Sequence, residues 1–559
     1  MTCKFAIDLQ LTKYGAVTDG MTTPFVPVRR KIMLYRIARS MAIIAISYVI
    51  FTIPALGASC ESIASLALPD GKITSAAIVA AGAFTPPGGG GILAGGPGGT
   101  SVYKSVPAFC RVTATLTPTS DSDIKIEVWM PVEKWNGKLA GIGNGVWAGN
   151  IAYSSMADPL AQGYAVAATD AGHVGDGMSG AFAAGHPEKL IDFGYRAVHE
   201  MTVKAKQFIE TYYGRKEQRS LWVSCSTGGR QGLMAAYRYP DDYNGISSMA
   251  PANPMVGLMI STMWSNYAAT QSSERKLTMS QLMAANRAYI AGCDEKDGVK
   301  DGVVSDPERC DFDPAIIQCK ADGGSDCLTA AQVAALRDIY GYVKNSRTGE
   351  NVFAGFEPGS EQQLMMLVTG NEPFPVAMSY FRDLVFADPQ WNFKSYDYDK
   401  DIEKSRKFGS EVLDVPGDGP VKFLEKGGKL LLSHGWADGL IPARNTIDFY
   451  KSLTAAITSE KVRDSVQLFM LPGTGHCGGG DAANIADMLS VIDQWVEGGK
   501  KPERIIASRA SSSGVPGKPS SKSIDAKPQT RPLCPWPTVA VYKGSGSTDE
   551  AANFECKAK

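Results

Sequence analysis

Cys225 stands directly before Ser226, and Cys477 directly after His476, about 250 residues further along. A bond between these two cysteines would force both stretches into contact, so the fold must close a loop of about 250 residues at this point. The first stretch, "VSCSTGGRQG" (223–232), reads as a strand-to-helix turn between small residues. "SLWVS" is strand-like before it. "GLMAAYRYP" begins a helix after it, which Pro240 stops. A sharp turn of this kind, written G-x-S-x-G, holds its serine exposed. Here Ser224 replaces the first glycine and Gly228 keeps the second.

A serine hydroxyl is a poor nucleophile until a base takes its proton. The chain has five histidines: His173, His186, His199, His434 and His476. Only the last two follow Ser226, and the order serine, acid, histidine is that of α/β-hydrolases. His476 lies in the Gly-rich loop "LPGTGHCGG" after an apolar run. Asp438, in "LLLSHGWADGLIP", is an acid on a loop between the two. The expected triad is Ser226, Asp438 and His476. His434, closer to the strand end, reads as a packing or hydrogen-bonding residue.

The N-terminus predicts that the cysteines are oxidised. Arg29-Arg30-Lys31, Arg36 and Arg39 precede an apolar run from Met41 to Leu56, followed by Gly57, Ala58 and Ser59. Basic, apolar, then small is the pattern of an export signal. The run is short for a membrane span and Pro54 interrupts it. A secreted or periplasmic chain with no membrane span after cleavage is expected. The 30 or so residues ahead of the signal read as an over-long start, with Met21, Met33 or Met41 as alternatives. Of eleven cysteines, Cys3 precedes the signal and ten remain, an even number that suits pairing in an oxidising compartment. Export and the mirrored Cys-Ser and His-Cys placement point to a Cys225–Cys477 bond. Spacing leaves the other pairs open.

The 559 residues exceed what one simple core holds. Strand-like "FCRVTATLTP", "DIKIEVWMP" and "GYAVAATD", a helical 195–213 and a strand in "YNGISSMAPA" alternate up to about 250. From 255 to 415 the rhythm changes, with more Met, Gln and aromatics and four cysteines. "GGKLLLSHGWADGLIP" and "DSVQLFMLPGTGHCGGG" then resume it. The expected organisation is an extension and signal over 1–58, an α/β core over 59–254 and 416–559, and an inserted lid over 255–415. Residues 508–530 are poor in apolar residues and read as a surface loop tied down by Cys534 and Cys556. Net charge is −1, with no basic stripe, which excludes a nucleic-acid partner.

Within the lid, "CDEKDGVKDGVV" offers Asp294, Asp297 and Asp301 with two glycine turns. Hard carboxylate oxygens suit Ca²⁺. An EF-hand is excluded, because positions 296 and 298 hold Lys and Gly. An ester-cleaving site also needs donors for an oxyanion. The Thr227 N–H, next after the serine, is one by the geometry of the turn. The second is expected from the loop "GIGNGVWAG".

Cys-Ser, Asp and His-Cys together resemble the tannase/feruloyl esterase family, which also includes the hydrolase of mono(2-hydroxyethyl) terephthalate. "WNGKLAGIGNG", "VAATDAGH", "DFGYRAVHEMT", "CSTGGRQGL", "CDEKDGVKDGVV", "DPQWNF", "PGTGHCGGG" and "RPLCPWP…VAVYKGSGSTDEAANFEC" carry the resemblance from about Cys60 to Cys556. It implies an α/β-hydrolase fold with a large inserted lid. It also implies the pairs Cys60–Cys110, Cys225–Cys477, Cys293–Cys310, Cys319–Cys327 and Cys534–Cys556. It puts the second oxyanion donor near Gly145 and Val146, with Val146 where relatives often carry Gly. It implies a structural lid calcium on Asp294, Asp297 and Asp301 and the carbonyls of Val299 and Val303, and no organic cofactor.

The function so implied is a serine esterase for aromatic carboxylic esters, free or carried on plant polysaccharide or tannin. A feruloyl or chlorogenate esterase comes first, then a tannase, then a terephthalate monoester hydrolase. The aromatics Trp264, Tyr267, Phe381, Phe386 and Trp391 are expected to form a planar substrate slot. The reading from another class is a catalytically silent calcium- and carbohydrate-binding module.

Overall fold

The computed structural model describes residues 57–87, 99–320, 324, 326–480, 482–509, 514–515, 518–519 and 529–558. The expected export signal up to residue 56, and most of the 508–530 loop, lie outside them.

Nine strands form one sheet: β1 (Gly71–Val79), β2 (Phe109–Leu116), β3 (Ile124–Pro131), β4 (Lys138–Ile142), β5 (Ala165–Thr169), β6 (Arg219–Cys225), β7 (Gly245–Met249), β8 (Lys429–Gly435) and β9 (Val466–Leu471). Their order is β1-β2-β3-β5-β4-β6-β7-β8-β9. The first three and β5 pair antiparallel, while β5, β4 and β6 to β9 are parallel. The sequence patterns follow this division. β2 alternates buried and half-buried residues, whereas every residue of β5 and β9 is buried. Parallel strands covered on both faces need continuous apolar runs.

Helices cover both faces. On one, α1 (Tyr153–Ala161) and α10 (Met488–Gly498) bury Met156, Leu160, Ile492 and Trp495 against Leu221, Leu431 and Phe469. On the other, α2 (Ala197–Tyr213), α3 (Thr227–Arg238) and α9 (Ala443–Ala456) bury Phe208, Leu233 and Ile447 against Ile246, Leu430 and Leu432. Leu430 and Leu432 face one layer and Leu431 the other, the period of two that a strand imposes.

The chain leaves the sheet after β7 and returns at β8. Between them lie α4 (Met255–Thr270), α5 (Met279–Cys293), α6 (Ala330–Tyr340), α7 (Glu361–Val368) and α8 (Lys400–Leu413). Capping boxes at Thr278/Gln281 and Thr329/Gln332 start α5 and α6. Helix α4 is buried nearly all round, because the other inserted helices and the segments bearing Trp147, Phe193 and Ala252 pack around it. The described residues all fall within one compact unit. Among the described residues five disulfides join Cys60–Cys110, Cys225–Cys477, Cys293–Cys310, Cys319–Cys327 and Cys534–Cys556. Among the described residues no helix is long and apolar enough to cross a membrane.

Candidate active site

Ser226 sits between the end of β6 and the first turn of α3, with φ 63° and ψ −128°. A non-glycine residue with positive φ is strained and persists only where its surroundings hold it. Here the Ser226 N–H donates to the Met249 carbonyl, and its carbonyl accepts from the Arg230 and Ala252 N–H groups, each at 3.0 Å. The two neighbouring strand ends thereby fix the turn.

Three loops at the carboxyl ends of parallel strands bring the expected residues together. Ser226 Oγ lies 3.0 Å from His476 Nε2, and His476 Nδ1 lies 2.8 Å from Asp438 Oδ2. The carboxylate faces Nδ1, so Nδ1 carries the proton and Nε2 is free to accept the serine hydroxyl. Cys225–Cys477 ties the serine strand to the histidine loop, with Cα atoms 5.8 Å apart. Among the described residues Cys225, His476 and Cys477 have ligand atoms within 4.8 Å of one another, but their sulfurs are joined in the disulfide.

Asp438 is 1% exposed. Its Oδ1 accepts from the Leu440 and Ile441 N–H groups, both at 2.9 Å. His434 stands on the far side: Nε2 is 3.1 Å from Asp438 Oδ2, and Nδ1 is 2.7 Å from Thr446 Oγ1. Burial alone would push Asp438 up, but the charge and hydrogen bond of His476, with those of His434, more than offset it. Its carboxyl is held well below the usual carboxylate range.

Val146 and Thr227 both line the cleft beside Ser226. Val146 has φ 44°, which explains why glycine suits this position. Its carbonyl accepts from Thr227 Oγ1 at 2.9 Å. The next residue is held from two sides: the Trp147 carbonyl is 2.7 Å from His173 Nε2, and its indole N–H donates to Val376 at 3.0 Å. The turn therefore survives without glycine because three side chains pin it.

Beyond the serine the cleft is lined by Ala252, Met255, Leu258, Met259, Thr262, Leu367, Phe374, Val376, Leu440 and Ile441. The expected aromatic slot is not there. Phe381 and Phe386 stack on Trp391, while Trp264 packs on Tyr267 and Tyr398. These large rings pack against one another inside the inserted segment. A larger cavity of about 690 Å³, bordered by Tyr237, Arg238, Asp414 and Phe449, contains none of the three triad residues.

The acidic loop after α5 is gathered by its own backbone. The Asp294 carboxylate accepts from the Asp301, Gly302 and Val303 N–H groups, and Asp297 and Asp301 accept from Val299 and Val303. Burial, together with the like charges in the loop, pushes Asp297 and Asp301 up. Arg531 pairs with Asp301. Three hard carboxylates that repel one another fit a hard cation, and Arg531 supplies one positive charge. Their carboxylate oxygens do not all come within 4.8 Å of one another.

One contact escaped sequence reasoning. Gln363 of α7 places Oε1 2.7 Å from the His476 N–H. Nothing in "SEQQLMMLV" marks it, since the signal is a contact between residues 113 positions apart.

The family described as "Tannase and feruloyl esterase" matches residues 110–557. An uncharacterised esterase of Xanthomonas campestris is 34% identical over 551 residues, covering 91% of this chain and 92% of its own. A probable feruloyl esterase B-2 of Aspergillus terreus is 31% identical over 528 residues, covering 90% and 95%. The crystal structure of feruloyl esterase B from Aspergillus oryzae has a TM-score of 0.79 at 26% identity, over 89% of this chain and 99% of that one. The matched span includes Ser226, Asp438, His476 and both cysteines that join their loops, and on this match the chain belongs to the tannase and feruloyl esterase family.

Proposed function

We propose that the protein is a serine carboxylic ester hydrolase for esters of phenolic acids, of the feruloyl esterase type. Ser226 Oγ attacks the ester carbonyl carbon while His476 Nε2 takes its proton. Asp438 orients the imidazole and stabilises its charged form. The N–H groups of Thr227 and Val146 hold the oxyanion. The imidazolium returns the proton to the departing alcohol, leaving an acyl-Ser226 ester. Water, deprotonated by His476, then releases the acid. The supporting geometry is the unbroken line Ser226–His476–Asp438, with contacts of 3.0 and 2.8 Å.

The lining of the cleft supports the choice among acyl groups. Apart from the catalytic machinery, its one polar side chain is Thr262. A galloyl ring carries three hydroxyls that need partners, and a terephthalate half-ester carries a carboxylate that needs a cation. Neither set of partners is in this lining, whereas a feruloyl ring carries one hydroxyl, for which the lining offers Thr262, and is otherwise largely apolar. The lid calcium on Asp294, Asp297 and Asp301, with the Val299 and Val303 carbonyls, is part of the same reading, as a structural ion that orders the loop closed by Cys293–Cys310. So is export to the periplasm or medium.

Hydrolysis of methyl ferulate, chlorogenate, methyl gallate and a terephthalate monoester tests the assignment. The expected order of kcat/KM is that sequence. A Ser226→Ala protein that folds and turns over normally refutes the mechanism, and a preference for gallate refutes the acyl choice. A folded wild-type protein inactive on every ester supports the silent binding module.

A further inference from the structure

We propose that Gln363, carried by the inserted segment, is a positioning residue that holds the loops of the catalytic base and acid in register. The inference rests on the serine-hydrolase mechanism above. Gln363 Oε1 accepts from the His476 N–H at 2.7 Å and from the Gly439 N–H at 3.3 Å. These amides belong to separate loops, one after β9 and the other after β8. A carbonyl oxygen has two lone pairs, and both are used.

The approach is close on both sides. A Cβ on Gly475 would lie 2.7 Å from Gln363 Nε2, and one on Gly439 would lie 2.3 Å from Leu364 N. The helix behind Gln363 is firmly seated. The buried Glu361 carboxylate accepts from Tyr340 Oη at 2.5 Å, Asn286 Nδ2 at 2.8 Å and Gly359 N at 3.0 Å. Leu364 and Leu367 are buried, and Leu367 also lines the cleft. The helix that shapes the acyl site therefore also reaches the triad.

The base needs such an anchor. Cys477, Gly478, Gly479 and Gly480 all have positive φ. The run is tied to itself by one bridge between Thr474 and Gly480 and by two long backbone bonds, Gly478 N–H to the Gly475 carbonyl and Gly475 N–H to the Gly479 carbonyl, both at 3.3 Å. The disulfide tethers Cys477, and the Gly478 N–H holds the carbonyl side of the Gly475–His476 peptide only at 3.3 Å; rotation of that peptide would swing the imidazole off both partners. The Gln363 carbonyl fixes that peptide. Neither Cys225 nor Asp438 does so.

The test compares Gln363→Met, which keeps length but loses the acceptor, with Gln363→Glu, which keeps an acceptor oxygen. We measure kcat and KM on methyl ferulate across pH, melting temperature, and labelling of Ser226 by phenylmethylsulfonyl fluoride. Gln363→Met is expected to lower kcat by about 10- to 100-fold, with KM changed less than about threefold. Gln363→Glu is expected to recover most of kcat at high pH. Its carboxylate favours the imidazolium, so the acid limb of the profile moves to higher pH. Wild-type kcat in Gln363→Met overturns the proposal. So do equal losses in both variants with the acid limb unmoved, which is the mark of a merely structural role. If Gln363→Met does not fold, the recovery and acid limb of Gln363→Glu decide. Failure of the wild-type Ser226 to label would instead overturn the triad, whatever the Gln363 variants do.

Discussion

His434 meets Asp438 at Oδ2, the same carboxylate oxygen that His476 meets from the other side. Its Nε2 also faces the Ile441 carbonyl at 3.1 Å, so Nε2 carries a proton, while Nδ1 pairs with the Thr446 hydroxyl. It is a buried donor that helps keep Asp438 ionised. His434→Leu removes the donor, and kcat should fall about 10-fold while KM changes little. His434→Gln, which can still donate, should recover part of the loss. Asp438 is depressed in the fold, so its contribution to stability is present above about pH 4 and lost as pH falls through its folded value. Acid unfolding of His434→Leu should therefore begin at higher pH. Steady-state kinetics and an acid titration followed by circular dichroism check both. Unchanged kcat in the Leu variant would remove His434 from the catalytic account.

Asp170 follows β5 and carries the opposite sign. Burial pushes its carboxyl up to about 7, although the Gly172 and Lys125 N–H groups partly offset this. A group raised in the fold contributes stability that is present below its unfolded pKa and lost as pH rises through the folded one. Between about pH 4 and pH 7 the protein should thus lose roughly 1–4 kcal/mol at this site. Both backbone donors reach Oδ1, at 2.9 and 2.8 Å, so Asp170→Asn keeps them. Its urea midpoint should exceed the wild-type value at pH 8 and match it near pH 4. A variant less stable than wild type at pH 8 would contradict this.

What sequence could reveal depended on whether the signal was local. The strand ending at Cys225, the helix stopped before Pro240 and the buried runs of β5, β8 and β9 are local patterns, and each forms an element. β1, Gly71–Val79, gave little pattern because most of its residues are half-buried or exposed. The triad was legible because only two histidines follow Ser226 and a cysteine marks one of them. The substrate cleft was not. Aromatic rings at 381, 386 and 391 have the composition of a slot, but their burial against one another depends on the packing of the inserted helices. Gln363 is an ordinary exposed-type residue until α7 is docked on the Gly439 loop.

The Cys225–Cys477 bond closes a loop spanning 252 residues. In the chain-entropy model such a cross-link contributes about 5 kcal/mol by restricting the unfolded chain. The fold already places these segments together, so native contacts persist when the bond is removed. Cys225→Ala with Cys477→Ala should fold, melt well below wild type, and lose kcat because the Ser226–His476 spacing relaxes. Single Cys→Ala variants should behave similarly but leave a free thiol. Thermal denaturation and peptide mapping of the oxidised protein check the bond and its effect. Wild-type melting in the double variant would place the stability elsewhere.

The acidic loop makes a prediction that separates a structural ion from a catalytic one. Asp294, Asp297 and Asp301 fall within eight residues, and Gly298 and Gly302, with φ of 91° and 81°, let the chain wrap around them. Burial and mutual repulsion push Asp297 and Asp301 above their usual values, which is the cost that a bound cation relieves. Arg531 offsets part of it by pairing with Asp301. The loop continues α5, and Asn286 on α5 holds Glu361 at the start of α7. Loss of the ion should therefore lower melting temperature first and reach the triad only at second hand, through α7. Stripping with a chelator and titrating calcium back should lower and then restore the melting temperature, by RT ln(1 + [Ca²⁺]/Kd) in free energy. Activity measured well below the melting range should fall by less than about tenfold. Asp301→Asn should weaken the response to calcium while leaving hydrolysis at low temperature near normal. A melting temperature unmoved by chelator and calcium alike would leave the loop as an acidic turn held by Arg531. Immediate loss of turnover without a change in melting would put the metal in the chemistry and contradict the triad mechanism.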